Sequence, residues 1–457
     1  MQGIYLLNYR VKGVKSLDKE VELSFYKKTI RRPLGFSDYN AKGIYGMNGS
    51  GKSAIISSVE ILKNILLKED YLSNSIVQRK LKELINKSSH ECSIGVDFLV
   101  STADKSRLLI IKYELTIAEN EQGRFNITRE LLAQNKSVGV ASDYDEIIVI
   151  EHGSIIKAAI INDAVNERIV EETKNLLARA SFCPLIARCT ANIAKEQEAQ
   201  WSRESVIRDV VSLYAFATSL TVYLDEEDKH TDYVINNIVE EIGPLKEDNS
   251  LLLDFLKEAY NYNKVSFNGL GSGDIVVFKQ EYDNFRQTIG QLEVFLKVFK
   301  PELERIDIDK KNDREYYRCR LVLKYRAYSV DAEFESTGIK KIIRLFSSLY
   351  DMYNGGIVFI DEIDSNIHDV YLCAIIEFLS KYGSGQLCFT SHNIGPMDIL
   401  KSKKKSIEFL SANHKITSWK TNGNYSPASL YRKGMVEGSP FNVEAMDFIG
   451  VFDSREV

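Results

Sequence analysis

The sequence is short of several things, and each shortage removes a class of protein. It has no run of about eighteen consecutive apolar residues. Its start, Met1-Gln2-Gly3-Ile4-Tyr5-Leu6-Leu7-Asn8, has no basic leader followed by an apolar core. Neither a membrane span nor a signal peptide is therefore expected, which implies a cytoplasmic protein. The six cysteines, Cys92, Cys183, Cys189, Cys319, Cys373 and Cys388, form no C-x-x-C, and no histidine stands at zinc-finger spacing. Reduced, mostly buried thiols follow from this, rather than a disulfide framework or a zinc site. An excess of positive charge is missing too. Net charge is −5, so whole-chain electrostatics do not predict nucleic-acid binding. The local basic stretches, Lys27, Lys28, Arg31 and Arg32, then Lys401, Lys403, Lys404 and Lys405, read as solvated loops, with a local basic patch as the alternative. Sustained heptads and internal repeats are absent, which argues against a long coiled-coil arm. With 457 residues, 44% of them hydrophobic and only seven prolines, the chain has room for two or three domains, or one large domain with an insertion.

What is present centres on Gly46 to Ser53, a G-x-x-x-x-G-K-[ST] loop between a short stretch read as a buried strand, Ala41 to Tyr45, and a helical pattern. The apolar residues Ile55, Ile56, Val59, Ile61, Leu62, Ile65 and Leu66 recur at helical spacing. Gly46, Gly49 and Gly51 allow a tight turn that turns backbone N–H groups toward phosphate oxygens, with Asn48 and Ser50 between them. Lys52 can reach the β- and γ-phosphates, and the Ser53 hydroxyl can hold Mg²⁺. A second stretch, Gly356-Ile357-Val358-Phe359-Ile360-Asp361-Glu362, reads as a buried parallel strand ending in two carboxylates.

Taken in order, residues 2–26 read as two strands, 69–90 as a second, polar helix, and 93–150 as further strands. A hairpin turn is expected at His152-Gly153-Ser154. From 163 to 300 the pattern is helical. One helix is set by Val165, Ile169, Val170, Thr173, Leu176 and Leu177, and another by Ile207, Val210, Val211, Leu213, Tyr214 and Phe216. Gly269 to Gly273 reads as a turn with no lysine after it. Strand pattern returns over 303–334. A helix follows, with Ser336 or Thr337 as its N-cap. The acidic strand, a helix over 367–381, and the run Leu387 to Thr390 ending at His392 complete the series, before a β pair around 407–419 and a polar tail. His90, His152, His368 and His414 read as structural. Any one of these motifs has a bland alternative: a surface carboxylate pair, a simple helix cap, or a core histidine.

The order of the phosphate loop, Ser336 to Gly338, Asp361-Glu362 and His392 resembles the ABC-type ATPase superfamily, within it the SMC, Rad50 and RecF branch. More than half of the chain separates Lys52 from Asp361, unlike simple P-loop kinases or GTPases. The resemblance covers residues 1 to about 175 and 300 to 420. It implies an α/β fold, an ABC-type P-loop ATPase head with a mixed β lobe and a helical insertion. The implied division is 1–165 for the first lobe, 166–300 for the insertion, 301–420 for the second lobe and 421–457 for a tail. It further implies ATP and Mg²⁺ as cofactors, with Asp361 and Ser53 as Mg²⁺ ligands. Glu362 would be the general base, His392 the γ-phosphate sensor, and Asp364 the aspartate after the acidic strand. Arg10, in Asn8-Tyr9-Arg10, would contact nucleotide, as would Asn48, Gly49, Ser50, Gly51 and Lys52. Ser336 and Gly338 would cap the nucleotide of a second copy in an ATP-sandwich dimer. The chain departs from the family at the L-S-G-G-Q signature, of which only Ser-x-Gly remains, and Gln197 or Gln200 is a guess for the Q-loop glutamine. Both departures imply slow hydrolysis or tight binding. The run Phe359 to Asp364 with Asn366-Ile367-His368 looks like the overcoming-lysogenisation-defect group, which includes ATPases of anti-phage systems such as Septu and PARIS. That resemblance implies an oligomeric sensor or scaffold controlling a separate effector, a nuclease. A RecF- or Rad50-like DNA-repair ATPase, with nucleic acid as partner, is the alternative. A transporter subunit and a self-contained nuclease fit less well.

Overall fold

The computed structural model describes residues 3–27, 30, 34–101, 108–135, 144–158, 171, 173–196, 206–224, 275–313, 316–420 and 425–440. Its centre is a six-stranded sheet of β3 (Ala41–Tyr45), β9 (Leu220–Tyr223), β14 (Ile357–Ile360), β15 (Gln386–Thr390), β16 (Ile407–Leu410) and β17 (Ile416–Ser418). The order is β17-β16-β3-β15-β14-β9, and every pair is parallel except β16 with β17. All residues of β3, β14, β15 and β16 are buried, as parallel strands covered on both faces require.

The pleat of this sheet divides two cores. Ile44, Ile357, Phe359 and Cys388 point to one face; Tyr45, Val358, Ile360, Leu387 and Phe389 point to the other. The first face meets α1 (Lys52–Leu67), α3 (Phe182–Glu196) and α4 (Val206–Ser219). Beyond them lies a seven-stranded antiparallel sheet, in the order β2-β1-β4-β5-β6-β7-β8. Its strands are β1 (Gly3–Lys12), β2 (Val21–Ser24), β4 (Glu91–Ser101), β5 (Leu108–Glu119), β6 (Phe125–Asn135), β7 (Tyr144–Glu151) and β8 (Ser154–Ala158). The second face meets α5 (Tyr282–Phe299), α6 (Thr337–Tyr353) and α7 (Asp369–Tyr382), with short α8 (Gly395–Leu400) and α9 (Pro427–Arg432). A small antiparallel sheet of β10 (Ile275–Phe278), β11 (Leu303–Asp313), β12 (Tyr316–Tyr325) and β13 (Ser329–Asp331) extends this core. Full burial of Ile55, Ile61 and Leu62 on α1 gives about 1.5–3 kcal/mol each, which fixes the helix that follows the Gly46–Ser53 loop.

Several expectations are corrected. The segment 69–90 is α-helical only as α2 (Ser75–Leu84), after one 3-10 turn at Tyr71–Ser73. Asn74 caps it by accepting the Ile76 N–H at 2.8 Å, and Ile85 leaves the helix to bridge Val14. The stretch 166–300, expected to be helical, contributes β9 and β10. Leu220 to Tyr223 pairs with β14, and a four-residue apolar run after a helix gives no period that would separate strand from helix. Of the helix expected there, Glu171 and Thr173 are helical and residues 174–180 form turns, while 159–170 lie outside the described residues, as do Gly269 to Gly273. The tail is not simply polar. Ser426 caps α9 and Pro427 occupies its first position, so Ala428 and Tyr431 are buried. The lysine run is a loop with Lys401 and Lys404 exposed, and its cations also make contacts within the chain. Lys403 Nζ donates to the Ser37 and Ser380 carbonyls at 2.8 and 2.6 Å, Lys404 pairs with Asp38 at 3.0 Å, and Lys405 reaches Ser24 Oγ at 2.6 Å. The run clamps α8 to the segment after β2. His152 and Gly153 have φ of +48° and +77°, which makes the tight β7–β8 hairpin. No helix among the described residues is long and apolar enough to cross a membrane.

Candidate nucleotide-binding site

Strand β3 delivers the loop. A Cβ at Gly46 would lie 2.4 Å from the Leu410 carbonyl oxygen, so only glycine lets the chain pass beside β16. Gly49 and Gly51 have φ of +78° and +102°, backbone that favours glycine. Lys52 and Ser53 are then the first residues of α1, where free N–H groups and the helix dipole suit an anion. Asn48 and Gly49 form the exposed tip. Ser50 is buried, and its Oγ finds no hydrogen-bond partner among the described residues.

The Lys52 ammonium is folded over the loop. Nζ donates to the Gly46 and Met47 carbonyls at 2.8 and 3.1 Å. Burial lowers its pKa, and the field of Asp361, Glu362 and Asp364 opposes that shift. The Gly46–Ser53 loop and the acidic turn therefore share one electrostatic neighbourhood, at the C-terminal ends of β3 and β14 with β15 between them.

Thr390, the last residue of β15, organises the acidic side. Its Oγ1 donates to Asp361 Oδ1 at 2.6 Å and accepts the Glu362 N–H at 2.8 Å, and its carbonyl accepts the Ile363 N–H at 3.1 Å. Glu362 has φ of +45°. That conformation costs a residue with a Cβ about 1–3 kcal/mol and persists only where the surroundings fix it. Asp364 turns back to β15. Its carboxylate accepts the His392 N–H at 3.1 Å and the Asn393 N–H at 3.0 Å, which sets the strand-end loop and leaves the His392 side chain exposed. Ser336 caps α6, its Oγ accepting the Ile339 N–H at 3.5 Å, while Glu335 accepts the Ser336 N–H at 2.9 Å. A Cβ on Gly338 would lie 2.8 Å from the Asn366 carbonyl oxygen, so α6 starts directly against the turn that follows Asp364.

Arg10 sits apart from these contacts. Tyr9 projects toward α1, where its hydroxyl meets Ser58 Oγ at 2.6 Å, so Arg10 projects from the opposite face of β1. There it grips Asp97 at 2.7 and 3.1 Å, and Asn8 donates to the same carboxylate at 3.0 Å. Gln197 and Gln200 lie outside the described residues.

The donor set suits Mg²⁺ held jointly with phosphate. Among the described residues no group of three or more His, Cys, Asp and Glu could hold a metal alone. Mg²⁺ commonly uses one or two carboxylates plus substrate phosphates, and Asp361 with the Ser53 hydroxyl matches that pattern. Three residues of this neighbourhood carry no sequence motif: Thr390, Tyr223 and Lys341. The detectable sign of Lys341 is its place on the apolar stripe of α6, in line with Leu345 and Leu349. No protein-family model and no curated protein matches the chain.

Proposed function

We infer that the chain binds ATP with Mg²⁺ at Gly46–Ser53 and hydrolyses it, as an ABC-type ATPase working in pairs. The observation that carries this reading is the shared field of Lys52 and the Asp361–Glu362 turn, each at the C-terminal end of a parallel strand. Ligands collect at such strand ends in open α/β sheets. Loop N–H groups, the start of α1 and Lys52 bind and orient the triphosphate. Asp361 and Ser53 hold Mg²⁺, which supplies positive charge against the phosphate oxygens. Glu362, aimed by its fixed backbone, takes the proton of the attacking water. His392, on the loop beside it, senses the γ-phosphate. The α6 N-terminus, with Ser336 and Gly338, caps the nucleotide of a second copy, because its free N–H groups suit an anion.

The wider role follows the same line. A paired ATPase whose assembly depends on nucleotide suits a sensor or scaffold in antiviral defence, acting in the cytoplasm on a separate nuclease. The DNA-repair alternative needs a free basic surface, and the lysine run 403–405 is already engaged within the chain. The direct test is titration of a fluorescent ATP analogue with Mg²⁺ into wild type and Lys52→Ala. Saturable binding that Lys52→Ala weakens at least a hundredfold supports the site; equal affinity of the two proteins contradicts it.

A further inference from the structure

Lys341 is a buried lysine that faces the backbone of Glu362. It belongs to α6 and is 3% exposed. Its Nζ donates to the Glu362 carbonyl at 3.3 Å and lies 4.4 Å from the centre of the Tyr223 ring. Burying an ammonium is unfavourable unless acceptors meet it. Here the carbonyl and the ring face do so. Tyr223 closes a circuit, since its own carbonyl accepts the Asp361 N–H at 2.9 Å.

Both peptides that flank the Glu362 Cα are therefore held. The preceding one is fixed through its N–H by Thr390 Oγ1. The following one is fixed through its carbonyl by Lys341 and Ser365 N–H, and through its Ile363 N–H by the Thr390 carbonyl. These contacts keep Glu362 at its left-handed φ of +45°. Thr390 and Ser365 lie on β15 and on the turn itself. Lys341 alone in this set comes from α6, the helix whose N-terminus carries Ser336 and Gly338.

We propose that Lys341 is a positioning residue that ties the aim of the Glu362 carboxylate to α6. When the N-terminus of α6 meets the phosphate of a second copy, the helix shifts Nζ, and the Glu362–Ile363 peptide follows. Hydrolysis is thereby set by the arrival of the second copy and not by nucleotide binding alone. This inference rests on the ATPase reading above.

Lys341→Met tests it in the full chain, because methionine keeps most of the apolar stem and removes the ammonium. Four quantities are measured: affinity for a fluorescent ATP analogue, kcat and KM for ATP, and amide exchange at Ile363 without nucleotide. The expected result is affinity and KM within twofold of wild type, kcat reduced at least tenfold, and Ile363 exchange at least tenfold faster. Lys341→Arg is expected to recover part of kcat. Wild-type kcat with wild-type exchange overturns the proposal. So does an equal loss of affinity and turnover, which a lysine serving only to hold the fold would give. If Lys341→Met does not fold, Tyr223→Leu carries the test: kcat falls with KM unchanged, and an unchanged kcat overturns the proposal. If the wild-type chain binds no ATP, the reading of the site fails. Ile363 exchange still decides whether Lys341 holds this peptide.

Discussion

Thr390 Oγ1 lies 2.6 Å from Asp361 Oδ1 and donates its proton there, while it accepts the Glu362 N–H at 2.8 Å. One buried hydroxyl on the central strand thus fixes a candidate metal ligand and the candidate base together. Thr390→Val keeps the branched shape and leaves both groups without their partner. Unsatisfied buried groups cost about 1–3 kcal/mol each. The expected outcome is a stability loss of about that size in urea unfolding, with ATP turnover at least tenfold lower. Turnover at the wild-type level would mean that Thr390 does not set the two acids.

A second buried pair joins β3, the strand that leads into the Gly46–Ser53 loop, to its neighbour β16. Lys42 on β3 meets Glu408 on β16 at 2.6 Å, with both side chains almost fully enclosed. Lys42 also donates to the Lys405 carbonyl. Removing one partner of such a pair costs about 3–5 kcal/mol, whereas replacing both by apolar residues is often near neutral. Lys42→Met is therefore expected to destabilise strongly, and the double variant Lys42→Met with Glu408→Leu to recover most of the loss. A double variant less stable than either single one would contradict this.

Glu130 gives the fold a pH dependence. Its carboxylate is buried between β6 and the start of α3, where it accepts Tyr113 Oη at 2.6 Å and the Phe182 N–H at 3.2 Å. Burial pushes its pKa up from 4.5 to about 7, against the pull of hydrogen bonds from Ser181, Tyr113 and Phe182. A raised folded-state pKa means that the folded protein binds the proton more tightly than the unfolded chain. The stabilisation is complete below pH 4.5 and is lost as pH rises through 7. The change across that window is on the order of 3 kcal/mol. Glu130→Gln is expected to flatten this part of the stability curve; an unchanged slope between the two pH values would remove Glu130 as its source.

The sequence made the parallel core legible because its strands are short, mostly apolar and bounded by chemistry. Ala41–Tyr45 runs into glycines, Ile357–Ile360 into carboxylates, and Gln386–Thr390 into Ser391 and His392. The N-cap at Ser336 was legible for the same reason, since a short hydroxyl before an apolar period satisfies free N–H groups. What was not legible depended on distant partners. Tyr223 ends a strand only because β14 offers an edge more than a hundred residues later. Lys403 and Lys405 look solvated until the segment after β2 folds onto them. Thr390 and Lys341 carry no motif, since their roles come from contacts with backbone atoms of Glu362, and a backbone atom leaves no mark on composition.

The most direct measurement of the central idea is the mass of Glu362→Gln in solution, with and without ATP and Mg²⁺, by analytical ultracentrifugation. Binding is intact in this variant while proton transfer is removed, so a nucleotide gripped by one copy and capped by the other accumulates. The expected result is a doubling of mass, or formation of a larger even-numbered assembly, that depends on ATP and is abolished by Lys52→Ala. A single mass unaffected by ATP, or turnover at the wild-type rate, would contradict a paired ATPase with Glu362 as its base.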